Sequence, residues 1–225
     1  MQEPLLLKKK ISNNPLLPLA GWNYDTNLST GNVPVSSTHT AAMLVAPPVA
    51  INGYSNVLNN KSQHAFIDNV VRAPGDFTYI ARQMLGTTTN YVTMLQWLGV
   101  SNGAQLRVAD SGFGNRLQPD MNPNQIATCW NVSMTRTGMT SIWNHFAWQR
   151  RSGVVTFYIN GVLQSLANGV SSSYSATSYS DGTSLAGTTG LLINTSAVAI
   201  YTAEWAFWDT AQLSANFTPP AGYLV

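Results

Sequence analysis

Charge is what this sequence has least of. Asp, Glu, Lys and Arg make up 9% of its 225 residues, against roughly 25% in an average soluble protein. The net charge of +2 is local: Lys8, Lys9 and Lys10 outweigh Glu3 near the start, and the chain beyond residue 21 carries 8 basic and 8 acidic residues. A neutral body offers no basic face to phosphates, so no nucleic-acid partner is expected. Cysteine is nearly absent. Cys129 stands alone, which excludes an intramolecular disulfide and a cysteine-based metal cluster and leaves it the role of a small buried hydrophobe. Long apolar runs are missing too, since nothing approaches the ~20 residues of a membrane-spanning helix. Leu5-Leu6-Leu7 precedes Lys8-Lys9-Lys10, the reverse of the order in a secretory signal. Neither membrane insertion nor export is expected.

Glutamate is the scarcest acid, with only Glu3 and Glu204. The aspartates, Asp25, Asp68, Asp76, Asp110, Asp120, Asp181 and Asp209, never fall two apart. No single strand therefore presents the paired carboxylates that a glycosidase holds about 5–5.5 Å apart. His39, His64 and His145 lie in no nucleophile motif and form no zinc cluster. Asp110, Asp120 and Asp181 could each lend an oxygen to calcium but read more simply as solvated turn residues. The expectation is a non-enzymatic protein with no catalytic residues, no metal and no cofactor.

What is abundant is short, uncharged and polar. Asn (21), Thr (22) and Ser (21) outnumber the charged residues about threefold, and these types favour strands and turns over helices. No segment keeps a helical period with caps at both ends, while apolar runs recur at strand length over 40–45, 64–67, 77–84, 91–100, 104–109, 129–134, 142–150, 154–160, 162–166, 190–194 and 201–208. Asn-Gly, which supplies the positive φ angles of tight hairpins, recurs at Asn52, Asn102, Asn160 and Asn168. Two of these sit cleanly between strands: Trp97–Val100 and Gln105–Val108 flank Asn102-Gly103, and Val155–Ile159 and Val162-Leu163 flank Asn160-Gly161. The stretches 110–128 and 167–189 read as long loops. Many short strands with no crossover helices leave a sandwich or a barrel.

Residues 1–35 are punctuated by Pro4, Pro15, Pro18 and Pro34, which deny a helix its continuation and a ladder its N–H. They are expected to form an extended N-terminal arm ahead of one domain over 36–225. Leu5, Leu6, Leu7, Ile11, Leu16, Leu17, Leu19 and Trp22 are too apolar for a solvated tail, so the arm should lie on its own domain or on another subunit.

The segment Trp143-Asn144-His145-Phe146-Ala147-Trp148-Gln149-Arg150, followed by Ser152-Gly153 and by Val154–Val162 with its Tyr158-Ile159-Asn160-Gly161 ending, closely resembles laminin-G-like domains. Those carry a strand W-x-H-φ-A-φ-x-R, a short turn, and a strand ending φ-Y-φ-N-G-φ. Ala203–Asp209 with Ala211 and Leu213-Ser214 is similar to the family's last strand, although Ala203 and Ala206 replace an acid and a base and Gln212 reads as an insertion. The resemblance implies an all-β, two-sheet antiparallel jelly-roll sandwich of the concanavalin-A-like type. It makes His145 a framework residue, and strand patterns place Trp97, Phe146, Trp148, Phe157, Trp205 and Trp208 in the core.

An arm plus one such jelly roll looks like accessory virion proteins of tailed bacteriophages. It implies a virion structural protein, either a capsid decoration or a tail-associated component, held to other virion proteins or to copies of itself by an assembly arm of Leu5, Leu6, Leu7, Lys8, Lys9, Lys10, Ile11, Leu16 and Leu17. The alternative is a carbohydrate-binding adhesin that recognises a bacterial surface glycan. Tyr174 and Tyr179, with Asp181 in the same Ser-rich loop, are its candidate contacts because aromatic faces stack on sugar rings. A glycan-cleaving enzyme comes third.

Overall fold

The computed structural model describes residues 18, 20–30, 43–59, 65–67, 76–86, 92–98, 105–108, 117–120, 127–129, 142–164, 166–168, 179–180, 190–193 and 200–221. Among them are β1 (Ala20–Asn23), β2 (Leu28–Thr30), β3 (Leu44–Val45), β4 (Val57–Asn59), β5 (Ala65–Ile67), β6 (Phe77–Leu85), β7 (Val92–Leu98), β8 (Gln105–Val108) and β9 (Leu117–Asp120). Then come β10 (Ala127–Cys129), β11 (Asn144–Arg151), β12 (Val154–Ile159), β13 (Val162–Leu163), β14 (Leu166–Asn168), β15 (Tyr179–Ser180), β16 (Gly190–Ile193) and β17 (Ile200–Trp208). No described helix is long and apolar enough to cross a membrane.

The strands build two sheets. The first runs β13-β12-β11-β6-β17-β1-β2, with β15 on β12, β4 on β17 and β3 on β4; the second runs β14-β10-β9-β8-β7-β16-β5. Every pairing is antiparallel. This is the two-sheet, concanavalin-A-like sandwich expected from the sequence.

Both hairpins around β12 are closed by two residues of positive φ: Ser152 (49°) with Gly153 (76°), and Asn160 (51°) with Gly161 (79°). That backbone twists with its flanking strands, which is why Asn-Gly marks such turns. β7 and β8 pair antiparallel as expected, but Gln105 lies opposite Gln96 rather than Val100, so their register is not that of a two-residue turn at Asn102-Gly103; the turn itself lies outside the described residues.

Alternation along β6, β11, β12 and β17 divides the first sheet into two faces. Phe77, Tyr79, Phe146, Trp148, Phe157, Trp205 and Phe207 share the inner one and are all fully buried. Phe77 meets Trp148 edge-on at 5.6 Å between centroids, and Phe146 stacks on Phe157 at 6.1 Å. Edge and offset arrangements of this kind suit aromatic quadrupoles.

Strand alternation alone would send Tyr158 and Trp208 outward to solvent. They are instead 2% and 9% exposed, packed with Ile80, Ala147 and Ala206 against Leu163, Leu213 and Phe217. The cover is the C-terminal segment 209–221, a strap across the outer face of the sheet. Outward side chains bond its backbone in place of a strand ladder: Gln149 Nε2 donates to the Leu213 carbonyl at 2.8 Å and its Oε1 accepts from Leu213 N–H at 2.6 Å. Thr78 Oγ1 accepts from Gln212 N–H at 2.9 Å, and Phe217 N–H donates to the Gly161 carbonyl at 2.9 Å.

Three details differ from the sequence reading. Residues 20–30, expected within an arm over 1–35, instead form β1 and β2 of the first sheet, with Trp22 opposite Trp205 and Ser29 opposite Trp22. No proline falls between Pro18 and Pro34, so nothing denies that hairpin its ladder. The expected loop 110–128 holds β9 and the start of β10, and 167–189 holds most of β14 and all of β15. Within β9, Pro119 pairs with Leu106 of β8, while β10 meets β9 only at Cys129 and Leu117, so Pro119 stands beyond that pairing and no ladder bond to β10 is lost there.

Gly161 tests the strap. A Cβ there would collide with the Phe217 carbonyl, whereas a Cβ at Gly53, also at positive φ, meets nothing within 4 Å. Gly53→Ala should cost only its backbone strain, more than about 1 kcal/mol. Gly161→Ala should cost clearly more and should also release the strap, read as faster proteolysis between residues 209 and 221. Equal melting-temperature losses and unchanged proteolysis would show that the strap does not depend on this contact.

Candidate functional site

The outer face of the first sheet carries one described ion pair, and an irregularity in β17 creates it. Thr202 pairs with Gln83 and the next partnered residue, Glu204, pairs with Arg82, so Ala203 is a bulge residue. Without that extra residue the alternation would turn Glu204 inward and Trp205 outward. With it, Glu204 lies beside Arg82 at 3.7 Å, their side chains 1% and 8% exposed. A pair this buried persists only where further polar contacts support it. Arg82 Nη2 donates to the Pro220 carbonyl at 2.6 Å and Nη1 to the Ala221 carbonyl at 3.5 Å. The guanidinium also sits 5.7 Å from the centre of the Tyr54 ring, within cation–π range.

His145 stands directly opposite Arg82 on β11. Its ring meets Phe217 edge-on at 5.5 Å, and neither ring nitrogen has a hydrogen-bond partner among the described residues. Burial first, and the Arg82 charge second, bring its pKa down to about 4, with its own backbone pulling the other way. The imidazole is therefore neutral at pH 7, with one nitrogen a donor and the other an acceptor. Its backbone is fixed by the turn: His145 N–H donates to Asn160 Oδ1 at 2.8 Å, and Asn160 N–H donates to the His145 carbonyl at 2.7 Å. Asn160 Nδ2 donates to Asn144 Oδ1 at 3.1 Å. Trp143, just ahead of β11, is half-buried and donates its indole N–H to the Val49 carbonyl at 2.7 Å.

These groups line an open cavity of about 180 Å³, formed by Ile51, Arg82, Trp143, His145, Asn160, Pro219 and Pro220. It joins three apolar walls and an indole to a few polar groups, the general make-up of a small-molecule site. Among the described residues no carboxylate lines it, and they hold no group of three or more His, Cys, Asp and Glu suited to a metal ion.

The sequence pointed elsewhere. Tyr179 lies in β15, opposite Val155 at the edge of the first sheet, while Tyr174 and Asp181 fall outside the described residues. So do Asp110 and the whole assembly arm, Leu5, Leu6, Leu7, Lys8, Lys9, Lys10, Ile11, Leu16 and Leu17; Asp120 ends β9. Of the cavity residues, His145 read as framework and Asn160 as turn. A usable signal was present all the same: Arg82 is the one charge in the apolar run Phe77–Leu85, and Glu204 the one charge in Ile200–Trp208. Two lone opposite charges in two buried strands point to each other.

No protein-family model matches the chain, and no curated protein matches it in sequence. Solved structures do share its fold. Trypanosoma rangeli sialidase aligns with a TM-score of 0.55 at 13% identity, over 86% of this chain and 30% of the sialidase. The binding domain of botulinum neurotoxin serotype C1 aligns with a TM-score of 0.58 at 12% identity, over 89% of this chain and 50% of that one. A botulinum neurotoxin type C structure, described as dependent for cell entry on two ganglioside molecules, aligns with a TM-score of 0.53 at 12% identity over 88% and 49%. The chain thus spans about a third to a half of these proteins. What these likenesses establish is the fold, a two-sheet antiparallel β-sandwich.

Because the His145 pKa falls from 6.5 to about 4 on folding, the unfolded chain binds the extra proton between those values. The stabilisation is complete above pH 6.5 and is lost as pH falls towards 4, in total roughly 3 kcal/mol. Wild-type stability should therefore drop between pH 6.5 and 4.5 by more than that of His145→Phe, measured by urea unfolding. Parallel pH profiles would show that the ring already finds a proton-stabilising partner.

Proposed function

We propose that this domain is a non-enzymatic carbohydrate-binding module of the adhesin type, which recognises a surface glycan through the cavity on the outer face of its first sheet. The carrying observation is that cavity, where the Trp143 indole and the apolar Ile51, Pro219 and Pro220 surround the polar His145, Arg82 and Asn160. Apolar ring faces beside a few fixed polar groups suit a sugar, which presents C–H on its faces and hydroxyls at its rim. The shared fold supports the same reading, since the similar structures include a toxin that engages gangliosides and a sialidase.

This reverses the order that the sequence suggested. The virion-structural reading draws on an arm whose assembly residues lie outside the described chain, and nothing in the sheet or cavity favours it. The non-enzymatic part draws on the described residues alone: Glu204 is held by Arg82, and none of the described residues that line the cavity is a carboxylate of the kind glycoside hydrolysis uses in pairs.

A glycan array probed with the purified chain should give a defined subset of positive glycans, reduced at least tenfold by Trp143→Ala, with no cleavage of any bound glycan. A blank array, or turnover of a bound glycan, would overturn this assignment.

A further inference from the structure

We infer that the cavity seats one pyranose ring edge-on between two apolar walls, and so selects a sugar whose ring substituents are all equatorial, as in the β-gluco and β-xylo configurations. The inference rests on the carbohydrate-binding reading and narrows it to a ligand class.

The cavity lies where two coverings of the outer face meet. The strap covers the body of β11 and β12, bonded to Gln149 through Leu213 and packed on Tyr158 and His145 through Phe217. It then reaches Pro219 and Pro220. Trp143 stands ahead of the first residue of β11, on the other side of His145, tied to the segment 49–54 by its bond to the Val49 carbonyl. Ile51 belongs to that segment, and it packs with Trp143 on the cluster of Tyr54, Val57 and Ala203. One wall is therefore Ile51 and Trp143, the facing wall is Pro219 and Pro220, and Arg82 and His145 lie at the floor. An enclosed cavity of roughly 150 Å³ holds one benzene ring. A cleft of about 180 Å³, open to solvent, has room for one six-membered ring standing in it.

Polar atoms are spread unevenly around this cleft. The walls have none to offer from their side chains, because isoleucine and proline carry no polar group there and the Trp143 indole N–H is already bonded. The floor and its margin do have some. A guanidinium has five N–H donors, and Arg82 gives two of them to strap carbonyls. Asn160, exposed beside the floor, gives one of its two amide hydrogens to Asn144. The nitrogens of His145 lie below the surface and take no part. Hydrogen bonding is thus available around the rim of a ring in the cleft and on neither of its faces.

A ring with every substituent equatorial presents C–H to both walls and hydroxyls to the rim and to water. An axial hydroxyl would be pressed against isoleucine, indole or proline, where it loses water and gains no partner. A single apolar wall tolerates such a hydroxyl on the ring's other face. Two walls do not.

The test is a titration of the ¹⁵N-labelled chain at pH 7, following the Trp143 indole resonance, with the methyl β-glycosides of glucose, xylose, galactose, mannose and allose. The last three differ from glucose at one centre each, where a hydroxyl turns axial. The glucoside and the xyloside should shift the resonance saturably, and each axial epimer should bind at least tenfold more weakly. Pro219→Ser, which opens one wall and supplies a hydroxyl there, should bind the glucoside more weakly and bring the epimers closer to it in affinity. Equal affinity across the series, or preference for an axial epimer, would overturn the two-walled selection while leaving carbohydrate binding intact. A positive glycan array with the Trp143 resonance unmoved by all five would overturn the site. Silence in both the array and the titration would remove the carbohydrate reading and this inference together. The wild-type series decides the matter even where Pro219→Ser fails to fold.

Discussion

The bulge at Ala203 is the constraint on which the described half of this sandwich turns. One additional residue in β17 changes which side chains face in: Thr202 is inside before it, and Trp205 and Phe207 are inside after it. The same step carries Glu204 to the outer face beside Arg82. A regular strand could place either the aromatic pair in the core or the carboxylate against the guanidinium, because side chains alternate with a period of two. The bulge allows both. The carbonyl of Ala203 is not wasted, since it accepts a hydrogen bond from Tyr24 N–H at 3.0 Å, tying the end of β1 to the irregular point.

From that pair the rest of the outer face follows. A buried guanidinium with spare donors needs acceptors, and the carbonyls of Pro220 and Ala221 provide them. The strap they belong to covers Ile80, Ala147, Tyr158, Ala206 and Trp208, giving the first sheet a second apolar layer where a sheet of this kind usually meets water. The covering is fastened by polar side chains in otherwise apolar strands, Thr78, Gln149 and Arg82, each aimed at strap backbone. Such residues satisfy backbone groups that would otherwise be buried without partners. His145, on the same face and under the same strap, has no such backbone to serve, and its neutrality follows from burial next to Arg82.

The cavity also shows how far fold and site can part. The similar structures share the sandwich at 12–13% identity, and a shared sandwich fixes layers and connections rather than chemistry. The polar inventory around His145 belongs to this chain: a compensated cation, a committed amide and one neutral imidazole.

The fold was legible in the sequence because it is written in local terms. Period-two apolar runs, Asn-Gly turns and the Trp143–Val162 segment each depend on neighbours within a few residues; they yielded β6, β11, β12 and β17 almost to their ends, and the two turns on either side of β12. Where a local cue misled, as with the prolines flanking β1 and β2, the outcome depended on which strand lay alongside. The site was hidden for the same reason. Ile51, Arg82, Trp143, Asn160 and Pro220 come from five separate stretches of chain, and only the sheet order β12-β11-β6-β17 and the return of the strap bring them together. The sequence by itself determined the strands, their turns and their neutral, Asn- and Thr-rich character. The tertiary structure alone decided that two isolated charges would meet across a bulge, that the outward face would be covered, and that His145 would be left neutral beneath it. Each of these is set by contacts between residues distant along the chain, which no local pattern encodes.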